Sequence, residues 1–231
     1  MIEIGIALLI AGVSYALQYI FGRIQFWREK REYIQQNSGY IEQLEKMDTE
    51  YRPEKPDVEM ALRCKEYLSQ VFPNGINERT QNMSKEELLS LFESMITDAQ
   101  QLMDVNVGTV DFYSTDEPPT CGYCGYYNHS DKSLHINVAF ILSGESKLVE
   151  EQVFTIFHEL KHARQWAAVE GRLNGAKDYG YSDEQIRIWA ENFNHYIPTC
   201  ISDELYRKQP VEFDALMFAN TIYDENRIFQ S

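Results

Sequence analysis

Twenty consecutive residues from Glu150 to Val169, EEQVFTIFHELKHARQWAAV, contain neither Pro nor Gly. Within them Val153, Ile156, Leu160, Ala163 and Ala167 recur at spacings of three and four. That pattern demands a helix, because only the 3.6-residue period gathers those apolar side chains into one stripe. Inside the stretch lies His158-Glu159-Leu160-Lys161-His162, an H-E-x-x-H. Two histidines four positions apart share one helix face, so both imidazoles can reach a single ion. At about 100° per residue the apolar stripe points opposite the two histidines, which leaves one face for a core and one for ligands. Glu159 projects to a neighbouring side, where it can polarise a metal-bound water without being a ligand. A metal ion brings the pKa of such a water down towards about 7. Chance alone produces the motif in a chain of this length on the order of once in a hundred. The rival reading is therefore a helical interaction protein with two surface histidines and no metal.

A zinc site of this kind takes three protein ligands and keeps a fourth position for water. Residues 210–220, PVEFDALMFAN, read as a helix with Phe213, Leu216, Met217 and Asn220 adjoining, and they offer Glu212 and Asp214. Spacing does not choose between these two carboxylates. Between them and the motif, Ser182-Asp183-Glu184-Gln185 forms a capping box that opens a helix with Ile186, Trp189 and Phe193 on one face, directed to the core. A hydrolytic site also needs a donor for a developing oxyanion, commonly Tyr or His. His195, Tyr196 and Tyr206 are candidates that the sequence does not separate, each better explained as structural. His129 and His135 fall on a hairpin and read as solvated surface residues.

The rest of the chain points to an α+β fold. A helix starts near Asp57, and Ser84 and Glu87 form a second capping box before LLSLFESMITDAQQLM, which keeps helical spacing to about Met103. VNVGTVDFYS is β-branched and aromatic, as strands are, and GYY and KSLHINVAF flank the polar NHSD as in a hairpin. With 36 acidic against 21 basic residues the chain carries a formal charge of −15, which excludes nucleic acid as a partner. Four cysteines in 231 residues make no disulfide framework, and the lone C-x-x-C of Cys121 and Cys124 lacks the second pair that a four-thiolate zinc site needs. It reads as two small residues in a turn.

The N-terminus stands apart. Ile4 to Gly22, IGIALLIAGVSYALQYIFG, carries no charge and is followed by Arg23, Arg28, Lys30 and Arg31. At about 1.5 Å per residue it just spans a hydrocarbon core of about 30 Å, and it has neither the leading positive charge nor the cleavage site of a signal peptide. As a membrane anchor it places everything after Arg23 in the cytoplasm by the positive-inside bias. Its rival is a hydrophobic helix buried in an oligomer or in an assembly such as a virion, with the chain virion-associated or cytoplasmic. A charged helical stalk follows, and Pro53 and Pro56 in MDTEYRPEKPD mark a boundary. The expected organisation is a hydrophobic helix over 1–22, a stalk and linker over 23–56 and one domain over 57–231.

HELKH on a helix, followed by Glu212, Ala215, Phe218 and Ala219 as Glu-x-x-Ala-x-x-Phe-Ala, resembles the gluzincin metallopeptidases of the ImmA/IrrE type. HELKHARQW with the later WAENFNHYI and YRKQPVEFDALMFA is similar to bacterial and phage-encoded zincins. The likeness covers roughly residues 57 to 225. It implies a zincin-like domain in which a small sheet packs on the motif helix. It also implies one zinc ion on His158, His162 and Glu212, with Asp214 in support and Glu159 as general base and then proton donor. The implied activity is hydrolysis of a peptide bond in a protein or peptide substrate, the edge strand before the motif helix, Leu134 to Ala139, binding it by strand addition. The alternative is a zincin-fold structural or assembly protein that holds zinc with little catalysis.

Overall fold

The computed structural model describes residues 21–47, 50–114 and 124–224. Helix α1 covers residues 21–36, followed by α2 (Ser38–Lys46), α3 (Lys55–Val71), α4 (Ile76–Thr80) and α5 (Lys85–Leu102). Three strands, β1 (Thr109–Tyr113), β2 (Gly125–Asn128) and β3 (Ser133–Asn137), precede α6 (Val138–Ile141) and the long α7 (Ser146–Asn174). Then come α8 (Asp183–Asn194), α9 (Asp203–Lys208) and α10 (Pro210–Asp224). The fold is α+β, mostly helical with one small sheet.

The chain forms two units: Met1–Asp48 with His195–Arg207, and Thr49–Asn194 with Lys208–Ser231. In the smaller unit Leu44, Ile197 and Ile201 are buried together, with Tyr33, Ile41 and Leu205 packed on them. The Tyr33 hydroxyl donates to the Tyr196 carbonyl, and His195 stacks on Tyr40 at 5.3 Å. Among the described residues no helix is long and apolar enough to cross a membrane. The apolar run read as an anchor lies, apart from Phe21 and Gly22, outside the described residues.

In the larger unit, α3 and α5 pack with the inner face of the sheet against α7. Met60, Leu68, Phe92, Ile96, Leu134 and Ile136 meet Val153, Ile156 and Leu160 in one core. Of the two capping boxes, only the first is wholly local. Ser84 accepts the Glu87 N–H at 3.2 Å and donates its own N–H to the Glu87 carboxylate at 2.7 Å. At α8, Ser182 accepts the Gln185 N–H at 3.1 Å, but its own N–H goes to Glu54 at 2.8 Å, so a side chain 128 positions away completes that cap. Pro56 stands in the first turn of α3, where its missing N–H and fixed φ suit a helix start.

The sheet runs in the order β1-β3-β2, with β1 parallel to β3 and β2 antiparallel to it. The β2–β3 hairpin sits where NHSD places it. The strand expected at the edge, Leu134 to Ala139, is instead central over Ser133–Asn137, and Val138 and Ala139 turn into α6. Pairing with β1 takes up its other side, so β2 is the edge next to the motif helix. In α10 the buried stripe is Val211, Ala215, Phe218, Ala219 and Ile222, while Phe213, Leu216, Met217 and Asn220 are only half-buried.

Candidate metal centre

Helix α7 carries His158 and His162, and α10 carries Glu212. Gln165, on α7 and fully buried, donates to the Val211 carbonyl at 3.0 Å and to the Asp214 carboxylate at 2.7 Å. From α8, buried Asn192 accepts the Val211 N–H at 2.9 Å, satisfying an amide that the start of a helix would otherwise leave without a partner. Its amide donates to Gln209 at 2.9 Å. These bonds set the height of Glu212 opposite the two histidines.

The three donor atoms form a triangle. The two Nε2 atoms are 3.1 Å apart, and each lies 3.4 Å from Glu212 Oε2. Bonds of about 2.0–2.1 Å at tetrahedral angles put ligand atoms about 3.3 Å apart, so the triangle matches one face of a tetrahedron. His158, His162 and Glu212 are thus a group that can hold a metal ion.

Protons in this group are decided by chemistry one bond further out. Val211 O and the Asp214 carboxylate only accept, so the amide nitrogen of Gln165 must face them, and its oxygen faces His162 Nδ1 at 2.9 Å. Nδ1 then carries a hydrogen, and Nε2 is the nitrogen turned to the other donors. His158 has no such partner, its Nδ1 being buried without an acceptor among the described residues. Burial works against charge on His162, but the Glu212 carboxylate and its bond, with Glu159 and Gln165, win and raise it to about 9. Burial also disfavours charge on Glu212. The two imidazoles outweigh that and hold its carboxyl well below the usual range.

Glu159 lies alongside, almost fully buried, and Oε2 accepts the N–H of Tyr127 on β2 at 2.9 Å. Burial pushes its pKa up, against the pull of both imidazoles and the Tyr127 amide, and Glu212 adds to the rise. The strand reaches this position because residue 125 is Gly. A Cβ there would lie 2.6 Å from His135 O and 3.3 Å from Thr155 on α7.

Behind the histidines Lys161 is fully buried. Its ammonium donates to Asp57 at 2.6 Å, lies 3.1 Å from Asp214, and sits over the rings of Trp189, Tyr181 and Phe218 at 4.9–5.4 Å. Burial opposes its charge, yet the two carboxylates hold it protonated. The Tyr181 hydroxyl also donates to Asp57, at 2.6 Å. One chain of polar contacts therefore runs from α3 through Lys161, Asp214 and Gln165 to His162.

The residues singled out in the sequence fare differently. His158, His162 and Glu212 come together, Glu159 stands beside them, and Asp214 lies behind His162, joined to it through Gln165. His195, Tyr196 and Tyr206 belong to the smaller unit, where Tyr196 and Tyr206 meet edge to face. His135 is no solvated surface group: it bonds Asp111 at 3.0 Å and Ser133 at 2.8 Å and stacks on Tyr126 at 4.4 Å. His129 is exposed, as expected of a surface residue, and its ring lies against Trp166 at 4.7 Å. Cys121 is outside the described residues, and burial pushes the Cys124 thiol up. Lys161, Gln165 and Asp57 escaped the sequence reading. Of these only Gln165 had a signal, an amide three positions after the second histidine. No protein-family model matches the chain, and neither does any curated protein or solved structure.

Proposed function

We propose that this chain is a zinc-dependent peptidase with a zincin-like arrangement of sheet and motif helix. The observation that carries the proposal is the tetrahedral face made by His158, His162 and Glu212, with the Glu159 carboxylate beside it. Two imidazoles and one carboxylate suit zinc best among common divalent ions. When bound, zinc supplies Lewis acidity and a water of lowered pKa. Glu159 acts as general base and then as proton donor. Tyr127 anchors Oε2, which leaves Oε1 to take the water's proton and pass it to the departing amine, and its burial raises proton affinity towards the working range. The substrate is a protein or peptide segment laid in extended form along β2, the edge strand. The apolar run before Arg23 is proposed to hold the chain at a membrane with the larger unit in the cytoplasm, and recovery of the chain in the soluble fraction after lysis would reject that placement.

Metal content and cleavage of a mixed peptide library test the activity together. The expected result is about one zinc per chain and cleavage reduced by about a hundredfold or more in Glu159→Gln, whose metal is retained. A folded chain without stoichiometric metal would overturn the reading. Zinc bound but no cleavage in the wild type would turn it towards an assembly protein of the same fold.

A further inference from the structure

Helix α1 has two unlike sides. Tyr33 packs on the cluster of Leu44, Ile197 and Ile201, and its hydroxyl donates to the Tyr196 carbonyl, so that side is fixed to the smaller unit. On the other side Phe21 is 66% exposed, Ile24 59%, Trp27 55% and Ile34 39%. One exposed apolar residue means little, but four along one side of a helix make a stripe.

Arginines share that side. At about 100° per residue, Arg23, Arg28 and Arg31 fall among the four apolar residues in an arc of about 160°, and Glu29 and Glu32 fall outside it. Arg28 pairs with Glu32 at 2.8 Å, but both side chains are exposed, so the pair is weak and the guanidinium can exchange it for a phosphate. Lys30 lies over the Trp27 ring at 5.5 Å. Residues 23–31 thus carry four basic side chains and one acidic, in a chain with 36 acidic against 21 basic.

A side that mixes aromatic rings with arginines suits a lipid surface. Trp and Phe settle at the level of the headgroups, and arginine stems lie along apolar surface while their charged ends reach phosphates. A second copy fits less well. Ile24, Trp27, Arg31 and Ile34 have the three-four-three spacing of a coiled-coil seam, which would set one Arg31 against another. Length decides how the helix lies. The uncharged run ends at Gly22, and Ile34 is twelve residues further on (34 − 22), about 18 Å along the axis. A helix standing out from the bilayer would carry Ile34 that far into water, whereas one lying in the interface keeps the whole stripe covered.

Resting on the membrane placement of this chain, we propose that the outer side of α1 lies flat on an anionic lipid surface. Arg23, Arg28 and Arg31 meet lipid phosphates, and Phe21, Ile24, Trp27 and Ile34 enter the upper acyl region. The acidic remainder of the chain is repelled by the same surface, which confines the contact to this helix. The purified full chain is floated with vesicles of phosphatidylcholine alone or mixed with phosphatidylserine. Binding to the mixed vesicles is expected to be tighter by about tenfold or more, and combining Arg23→Gln, Arg28→Gln and Arg31→Gln is expected to remove that preference. Lipids brominated near the headgroup are expected to quench tryptophan fluorescence more than lipids brominated deep in the chain, and Trp27→Phe to abolish the difference. Equal binding to the two vesicle types, or no quenching at Trp27, would overturn the contact and leave a membrane hold by residues 4–22 standing. Binding to mixed vesicles alone would do the reverse. Binding to neither, or a preference retained in the triple variant, would also overturn the contact. Trp27 emission that shifts to the blue with rising chain concentration in the absence of lipid would give the stripe to a second copy and overturn it too.

Discussion

Gln165 makes His162 a one-directional ligand. Its amide cannot turn over without setting its oxygen against two acceptors, so the imidazole it holds cannot present Nδ1 to a metal. Gln165→Leu should weaken metal binding by about 10–100-fold with the donor set intact, measured by competition with a chromophoric chelator. Unchanged affinity would sink the argument. The raised pKa of His162 gives a second expectation. At pH 7 its proton, favoured up to about 9, must leave when a metal arrives. Binding should therefore release about one proton per chain at pH 7, and affinity should climb about tenfold per pH unit before levelling above about 9. Calorimetry in buffers of different ionisation enthalpy reads the proton directly. His158, Glu159 and His162 were legible because their spacing is itself the chemistry. Gln165 was only half so, since its partners lie 46 and 49 positions away.

At the scale of elements, Lys161 ties three helices together. It sits in α7, reaches Asp57 in α3 and Asp214 in α10, and has no water to fall back on. Lys161→Met would leave two buried carboxylates facing each other, a loss of about 3–5 kcal/mol in urea unfolding. Adding Asp57→Asn and Asp214→Asn should recover much of it, because the penalty lies in unmatched charge more than in a lost bond. A single substitution as mild as a surface one would show that these helices are held by their apolar contacts alone. Nothing in the sequence marks Lys161 as buried, because its partners are 104 and 53 positions off (161 − 57 and 214 − 161). In α10 the periodicity of large apolar residues picks Phe213, Leu216, Met217 and Asn220, which flank the buried stripe of Val211, Ala215, Phe218, Ala219 and Ile222. Distance along the chain also hid the place of β3, whose second neighbour, β1, is visible only once the sheet is assembled. Local signals such as the Ser84 box and the NHSD turn were read correctly because everything they need is within a few residues.

The whole molecule is divided otherwise than its sequence suggests. Residues 195–207 lie far along the chain yet build the smaller unit with α1 and α2, so a boundary drawn at Pro53 and Pro56 cuts that unit from part of itself. A chain starting at residue 49 retains Glu54 and its bonds to Ser182, and should keep the metal affinity of the full chain. Residues 195–207 would lose Tyr33 and Leu44, and their amides should exchange with deuterium at least tenfold faster. Protection equal to that of the full chain would show that the segment is ordered without its partners.

The placement of Glu212 sets a timetable. It is made fifty residues after His162 (212 − 162), so a chain emerging from the ribosome displays two imidazoles long before it has a carboxylate to close the triangle. Two imidazoles alone would hold a metal ion only loosely, and the third donor joins them where α10 packs on α7. Capture of a metal ion would thus report a finished fold.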